Sequence, residues 1–168
     1  MGTVKDLYLE EGIDKMKSLA EDIRICMFCT SAETLPFTTR PMATSKVDED
    51  GTIWFLSPKN SEKNYEIVEN SKVQLIYSNP GSSKFMCVYG IASLTTDRNK
   101  IEELWNPMVK AWFTEGKDDP NISVIKVTPK NAYYWDTAHG KVISLIAIAA
   151  SAISGKSHDD GVEGQIKI

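Results

Sequence analysis

Three cysteines and two histidines in 168 residues leave little material for a disulfide framework or a metal centre. The cysteines are odd in number and sit among apolar neighbours, which argues against stapling in an oxidising compartment. Cys26 and Cys29 have the spacing of a redox or zinc half-site. They fall inside a β-rich run, however, where residues three apart point to opposite faces of a strand, so a structural pair is expected. His139 and His158 have no ligand spacing around them, and no metal is expected. His139, close after Trp135 and Asp136, reads as a surface-loop residue, or as a proton donor if it reaches a site.

Basic runs are missing too. The net charge is -4, and no stretch of Lys and Arg offers itself to a series of phosphates, so broad nucleic-acid or anionic-membrane binding has no electrostatic basis. The longest apolar run, 142–153, is well short of the roughly 18 residues that argue a membrane span. No charged leader with an apolar segment and cleavage site opens the sequence. These absences predict a soluble, cytoplasmic, single-domain protein spanning 1–168. Walker-type loops, G-x-S-x-G elbows and paired-carboxylate motifs are absent as well, so hydrolase and phosphotransferase readings find no support and catalytic residues stay unassigned.

What the chain does have is a succession of short β-rich runs with few helices between them. Leu7, Leu9, Ile13, Met16 and Leu19 are spaced as a helical stripe, predicting an N-terminal helical segment within 1–22 that Gly12 could break. Strands are predicted at 23–30, at 35–47 with Pro36 and Pro41 confining it to an edge or bulge, and at 52–57. Ser61 is a plausible N-cap for a short helix. Further strands are expected at 72–79, at 84–96 with a bulge at Gly90, and at 122–135. A helix interrupted at Pro107 lies between the last two, and a small-residue helix at 142–154 follows. Strands in succession without long crossover helices favour a mainly antiparallel sheet or small barrel with added helices.

Asp50-Gly51 separates the second and third strands and suits a tight hairpin. A two-residue loop there sets Glu49 opposite Thr52 and Arg40 opposite Ser61, and a loop longer by two residues sets Arg40 opposite Lys59. Either register brings Arg40 to the start of the helix that carries Lys63. Two cations beside a helix N-terminus form a candidate phosphate cradle. The competing reading makes Arg40 and Lys63 solvated surface cations and Ser61 only a cap.

The order "RPM", an acidic Gly-containing turn, "IWFLS", "SEK", "VQLIY" and "AYYW" resembles the FMN-binding split-barrel proteins related to pyridoxamine 5'-phosphate oxidase, most closely their general stress protein 26-like branch. The resemblance covers roughly residues 13–155. It implies a six-stranded antiparallel split β-barrel and a homodimer with FMN between the subunits. It also implies that Arg40 and Lys63 hold the FMN phosphate with help from Ser61, and that Pro41, Met42, Ala43 and Thr44 run along the flavin. Leu56 and Ser57 would line it from the next strand, and Trp135 would approach from the other subunit.

The match also has departures. Glu62 stands where pyridoxamine phosphate oxidases have a second basic residue, Ser45 where they have a lysine, and Phe85 where a glutamine contacts the ring. Only "DTAHGK" follows Trp135, in place of an arginine-histidine pair. The resemblance therefore implies a flavin-dependent oxidoreductase of unknown substrate rather than a vitamin B6 oxidase, or a non-catalytic stress protein that stores, senses or shields the cofactor.

Overall fold

The computed structural model describes residues 3–137 and 161–168. The expected helix at 142–154, His139 and His158 lie outside them. Six strands carry the architecture: β3 (Ile25–Thr30), β4 (Thr38–Ala43), β6 (Ile53–Pro58), β7 (Lys72–Asn79), β8 (Lys84–Thr95) and β9 (Ile122–Thr137), with β5 (Lys46–Val47) continuing β4. β3 pairs with β4 and β7, β7 with β8, β8 with β9, and β9 with β6, all antiparallel. A hand-over closes the ring. After β4 leaves β3, Thr44 N–H donates to Arg24 O at 2.8 Å, Ser45 N–H donates to Trp54 O at 2.8 Å, and β5 then pairs with β6. β4 and β5 thus serve as one strand with two partners; the fold is of the expected split-barrel class, although the whole sheet counts ten strands among the described residues and includes parallel pairs, rather than six antiparallel strands alone.

Alternation of side chains builds the core. Val73, Leu75 and Tyr77 of β7 and Met86 and Val88 of β8 point inward at successive even spacings. Phe28 and Phe55 meet edge to face at 5.2 Å in the interior, each ring contributing about 2–3 kcal/mol by burial. Helix α1 (Leu9–Ile23) covers the barrel with Met16, Leu19 and Ala20. It runs unbroken through Gly12, where a side chain would begin 2.8 Å from Ile166 of β10 (Gly161–Lys167). The glycine marks a close approach of helix to strand. The N-terminal segment starts as two short strands, β1 (Thr3–Val4) and β2 (Leu7–Tyr8), paired in parallel with β10, and not as helix from residue 3. Their pairing partner lies at the far end of the sequence. Among the described residues no helix is long and apolar enough to cross a membrane.

The hairpin register departs from both expected forms. Val47 faces Ile53 and Lys46 faces Trp54. Gly51 N–H donates to Asp48 O at 3.0 Å, Asp48 N–H donates to Thr52 O at 2.9 Å, and Gly51 adopts a φ of 82°. The loop therefore holds three residues, ending in the left-handed glycine that such loops require. Arg40 lies on β4 opposite Phe28 and faces neither Ser61 nor Lys59 across a ladder.

Candidate functional site: a cleft between two strand edges

Because β4 is paired only to β3 and β6 only to β5 and β9, the stretches around Arg40–Ala43 and Leu56–Pro58 part from one another without hydrogen-bonding. A cleft of about 310 Å³ fills this gap. Arg40, Pro41, Met42, Ala43, Thr44, Leu56 and Lys63 line it together. Edge backbone groups are unsatisfied donors and acceptors, well suited to the heteroatoms of a flat polar ring. Pro41, lacking an N–H, sits on such an edge at no cost to the ladder.

At one end of the cleft Arg40 is anchored. Its Nη2 donates to Glu66 Oε2 at 2.7 Å and its Nη1 to Thr30 Oγ1 at 2.5 Å, while Thr30 Oγ1 donates to the same Glu66 oxygen at 2.5 Å. Burial raises the Glu66 carboxyl, but hydrogen bonds from Thr30, Thr38 and Arg40 outweigh it and hold the group below the usual carboxylate range. Lys63, on helix α2 (Glu62–Glu69), is half-buried and has neither a carboxylate nor a hydrogen-bond partner among the described residues. Burial, and then the nearby Arg40 charge, depress its pKa. A cation in that condition favours an anion at its side.

Ser57 and Ser61 serve this end indirectly. Ser57 is fully buried and its Oγ donates to Asn64 Oδ1 at 2.9 Å, so its side chain does not face the cleft. Asn64 Nδ2 donates to Ser123 Oγ at 2.9 Å, and Ser123 Oγ donates to Ser57 O at 2.9 Å. Ser61 occupies the N-cap position of α2, yet its hydroxyl makes no cap bond and lies 3.2 Å from Ser57 Oγ. The first N–H groups of α2 are thus left without a side-chain cap. This buried network ties α2 to β6 and β9 and so fixes where Lys63 projects.

Trp135 lies elsewhere, on the outer face of the sheet, opposite Phe85 on β8 and 4.7 Å from the Tyr133 ring. The cleft is also lined by residues for which the sequence carries no expectation: Arg24, Met108, Val109, Trp112 and Phe113. Helix α3 (Arg98–Leu104) ends before Pro107, and a 3-10 turn over Pro107–Ala111, capped by Asn106 Oδ1 accepting from Met108 N–H, swings this segment over the cleft. Phe113 is buried and Trp105 packs on it at 6.2 Å, whereas Trp112 is 69% exposed on the rim. The interruption falls at Pro107, as the sequence predicts.

Cys26 and Cys29 are free and buried. Burial pushes the Cys26 thiol up to about 12, and Cys29 Sγ lies 3.5 Å from Thr39 Oγ1. Cys26 therefore lacks the character of a thiolate ligand or nucleophile.

Residues 11–159 match the family described as "Pyridoxamine 5'-phosphate oxidase like". The chain belongs to this family. Among its relatives, Protein bli-3 of Neurospora crassa is 25% identical over 158 residues, covering 88% of this chain and 76% of that protein. The crystal structure of a general stress protein 26 from Jannaschia sp. CCS1 superposes with a TM-score of 0.76 at 24% identity, covering 93% and 95% of the two chains. That of the general stress FMN/FAD binding protein from Xanthomonas citri gives 0.63 at 26% identity, with 74% and 87% covered. Similarity to both pyridoxamine phosphate oxidase-like and general stress proteins agrees with the architecture described above.

Proposed function

We propose that the chain is an FMN-binding oxidoreductase whose cleft between β4 and β6 holds the flavin. The observation that carries this reading is Lys63, a half-buried cation without a counter-charge among the described residues, set beside an Arg40 whose orientation is fixed by Glu66 and Thr30. A phosphate monoester there satisfies both cations and the uncapped start of α2. From that end the edge of β4, Pro41 to Thr44, and Leu56 of β6 offer backbone groups and apolar contact to a ring. When bound, FMN supplies hydride and electron transfer. The side chains would bind, orient and exclude water, since the titratable groups lining the cleft are the cations Arg24, Arg40 and Lys63. Family membership and a neighbour named as FMN/FAD binding support the flavin; the phosphate-sized cationic end supports FMN.

The lack of a carboxylate or histidine among the described residues lining the cleft favours a second reading, a protein that holds the flavin without turnover. Glu62 and Ser45 point the same way. Anaerobic mixing of FMN-loaded protein with NADH or NADPH separates the two: bleaching of the flavin supports the oxidoreductase, and an inert flavin with either donor supports the binder. Titration with FMN comes first, and absence of any fluorescence or stability response would sink both readings.

The working unit in this proposal is a homodimer in the cytoplasm, where three free cysteines remain reduced. The outer faces of β3, β7, β8 and β9 expose Met27, Ile76, Tyr89 and Trp135 at 37–40% each. An apolar sheet face of this kind fits a second copy, and Trp135 of the partner subunit would then complete the cleft.

A further inference from the structure

Arg24 stands at the opposite end of the cleft from Arg40 and Lys63. Its carbonyl accepts the Thr44 N–H, and Thr44 lies four residues along the strand from Arg40, roughly 14 Å at the rise of an extended chain. The side chain is exposed and has no carboxylate partner among the described residues; its Nη2 reaches only Met108 Sδ, at 3.9 Å. The backbone is also unusual. Arg24 closes α1 with φ 63° and ψ -45°, donating its N–H to Ala20 O at 2.9 Å, in a conformation that L side chains rarely adopt and glycine adopts freely. Between this arginine and the cleft mouth, Met108 and Trp112 expose about two-thirds of their surface, 67% and 69%.

A free cation, an exposed indole and a polarizable thioether thus meet on one rim, at the far end from the phosphate cradle. We infer that this rim is a second binding site. It takes a flat conjugated molecule carrying a carboxylate or phosphate, with its anion on Arg24 and its ring against Trp112, placed beside whatever lies along β4. The inference rests on the flavin reading and extends it: the flavin occupies the β4 wall, and an anionic aromatic compound binds beside it. An arginine fork matches either oxyanion, and an aromatic face against the indole supplies the apolar part of the affinity.

The test uses full-length protein saturated with FMN, the FMN dissociation constant being measured first for each variant. The probes are 4-nitrobenzoate, 4-nitrophenyl phosphate and the neutral 4-nitrobenzamide, followed by the change in flavin absorption. Unmodified protein should bind at least one anion about tenfold more tightly than the amide; which anion binds better tells carboxylate from phosphate. Arg24→Gln should remove that preference, Arg24→Lys should keep part of it, and Trp112→Ala should weaken all three probes alike. Arg24→Gly adds a readout that a structural role would not give. Relief of the left-handed backbone should raise the melting temperature while the preference for anions disappears. Equal binding of anion and amide by unmodified protein, or a preference that survives in Arg24→Gln, would overturn the assignment while FMN binding stands; failure to bind FMN at all would overturn it together with the flavin reading.

Discussion

Arg40 and Glu66 form an ion pair 2.7 Å long, with their side chains only 20% and 14% exposed. The pair joins β4 to α2 and aims the guanidinium along the cleft. Glu66→Gln keeps an acceptor near Thr30 and Arg40 but loses the charge, and should cost about 1–2 kcal/mol of stability at neutral pH. The pH dependence has a definite sign. A carboxyl held below its unfolded value contributes stability above the unfolded pKa and loses it as pH falls through the folded one. Unmodified protein should therefore lose more stability than Glu66→Gln on acidification below about pH 4.5, where unfolded glutamate titrates. Parallel urea titrations at pH 7 and at acid pH check this; identical losses in the two proteins would show that the pair carries no net stabilisation.

Lys63 predicts the opposite balance of stability and binding. An unpaired, half-buried cation destabilises the ligand-free fold, so Lys63→Met should fold as well as or better than the original protein. Its depressed pKa means that stability of the ligand-free protein rises as pH climbs through the folded value toward that of unfolded lysine, and this rise should vanish in Lys63→Met. FMN affinity should drop by roughly 30-fold, about 2 kcal/mol, while riboflavin, which lacks the phosphate, should bind the two proteins equally. Calorimetric titration with both flavins makes the comparison, and equal loss for riboflavin would place the phosphate elsewhere.

The strands and the two cations Arg40 and Lys63 of the cleft were legible in sequence, for different reasons. Period-two burial in "KVQLIYSN" and in the stretch around Met86 and Val88 announces strands directly, and β7 runs over the predicted residues. Arg40 and Lys63 meet as expected, yet not through the expected hairpin. Asp50-Gly51 suits a two-residue and a three-residue loop equally, and one residue of loop length changes every opposed pair. Their meeting depends instead on β4 changing partner at Thr44 and Ser45, a long-range event with no local signature. Arg24 was invisible for the converse reason: the local signal for a left-handed helix end is glycine, and here the position holds arginine. The strand at Gly161–Lys167 carries two glycines and little apolar pattern, and exists because β9 and the N-terminal residues flank it.

Ser57 tests the buried network that positions Lys63. Ser57→Ala deprives Asn64 Oδ1 of its donor in a site without exposure to water, which should destabilise by about 1–2 kcal/mol. Because Asn64 sits one residue after Lys63, FMN affinity should fall with stability, although Ser57 itself has no side-chain contact with the cleft. A chemical denaturation curve alongside an FMN titration reads both; a variant with weakened FMN binding and unchanged stability would mean that Ser57 acts on the ligand directly.

Ile76 offers the sharpest test of the dimer. It lies on the outer face between Met27 of β3 and Cys87 of β8 and is 37% exposed, so a charge there does not enter the core. In an isolated subunit Ile76→Lys should change stability by no more than about 0.5 kcal/mol, the range of ordinary surface substitutions. Buried between two copies, the lysine would face its own symmetry mate across an apolar interface, and two unpaired cations there should drive dissociation. Light scattering after size exclusion should then report a dimer for the original protein and a monomer for Ile76→Lys. FMN affinity should weaken in the monomer, because Trp135 of the partner subunit no longer closes the cleft; a monomer that binds FMN with undiminished affinity would show that one subunit's cleft suffices.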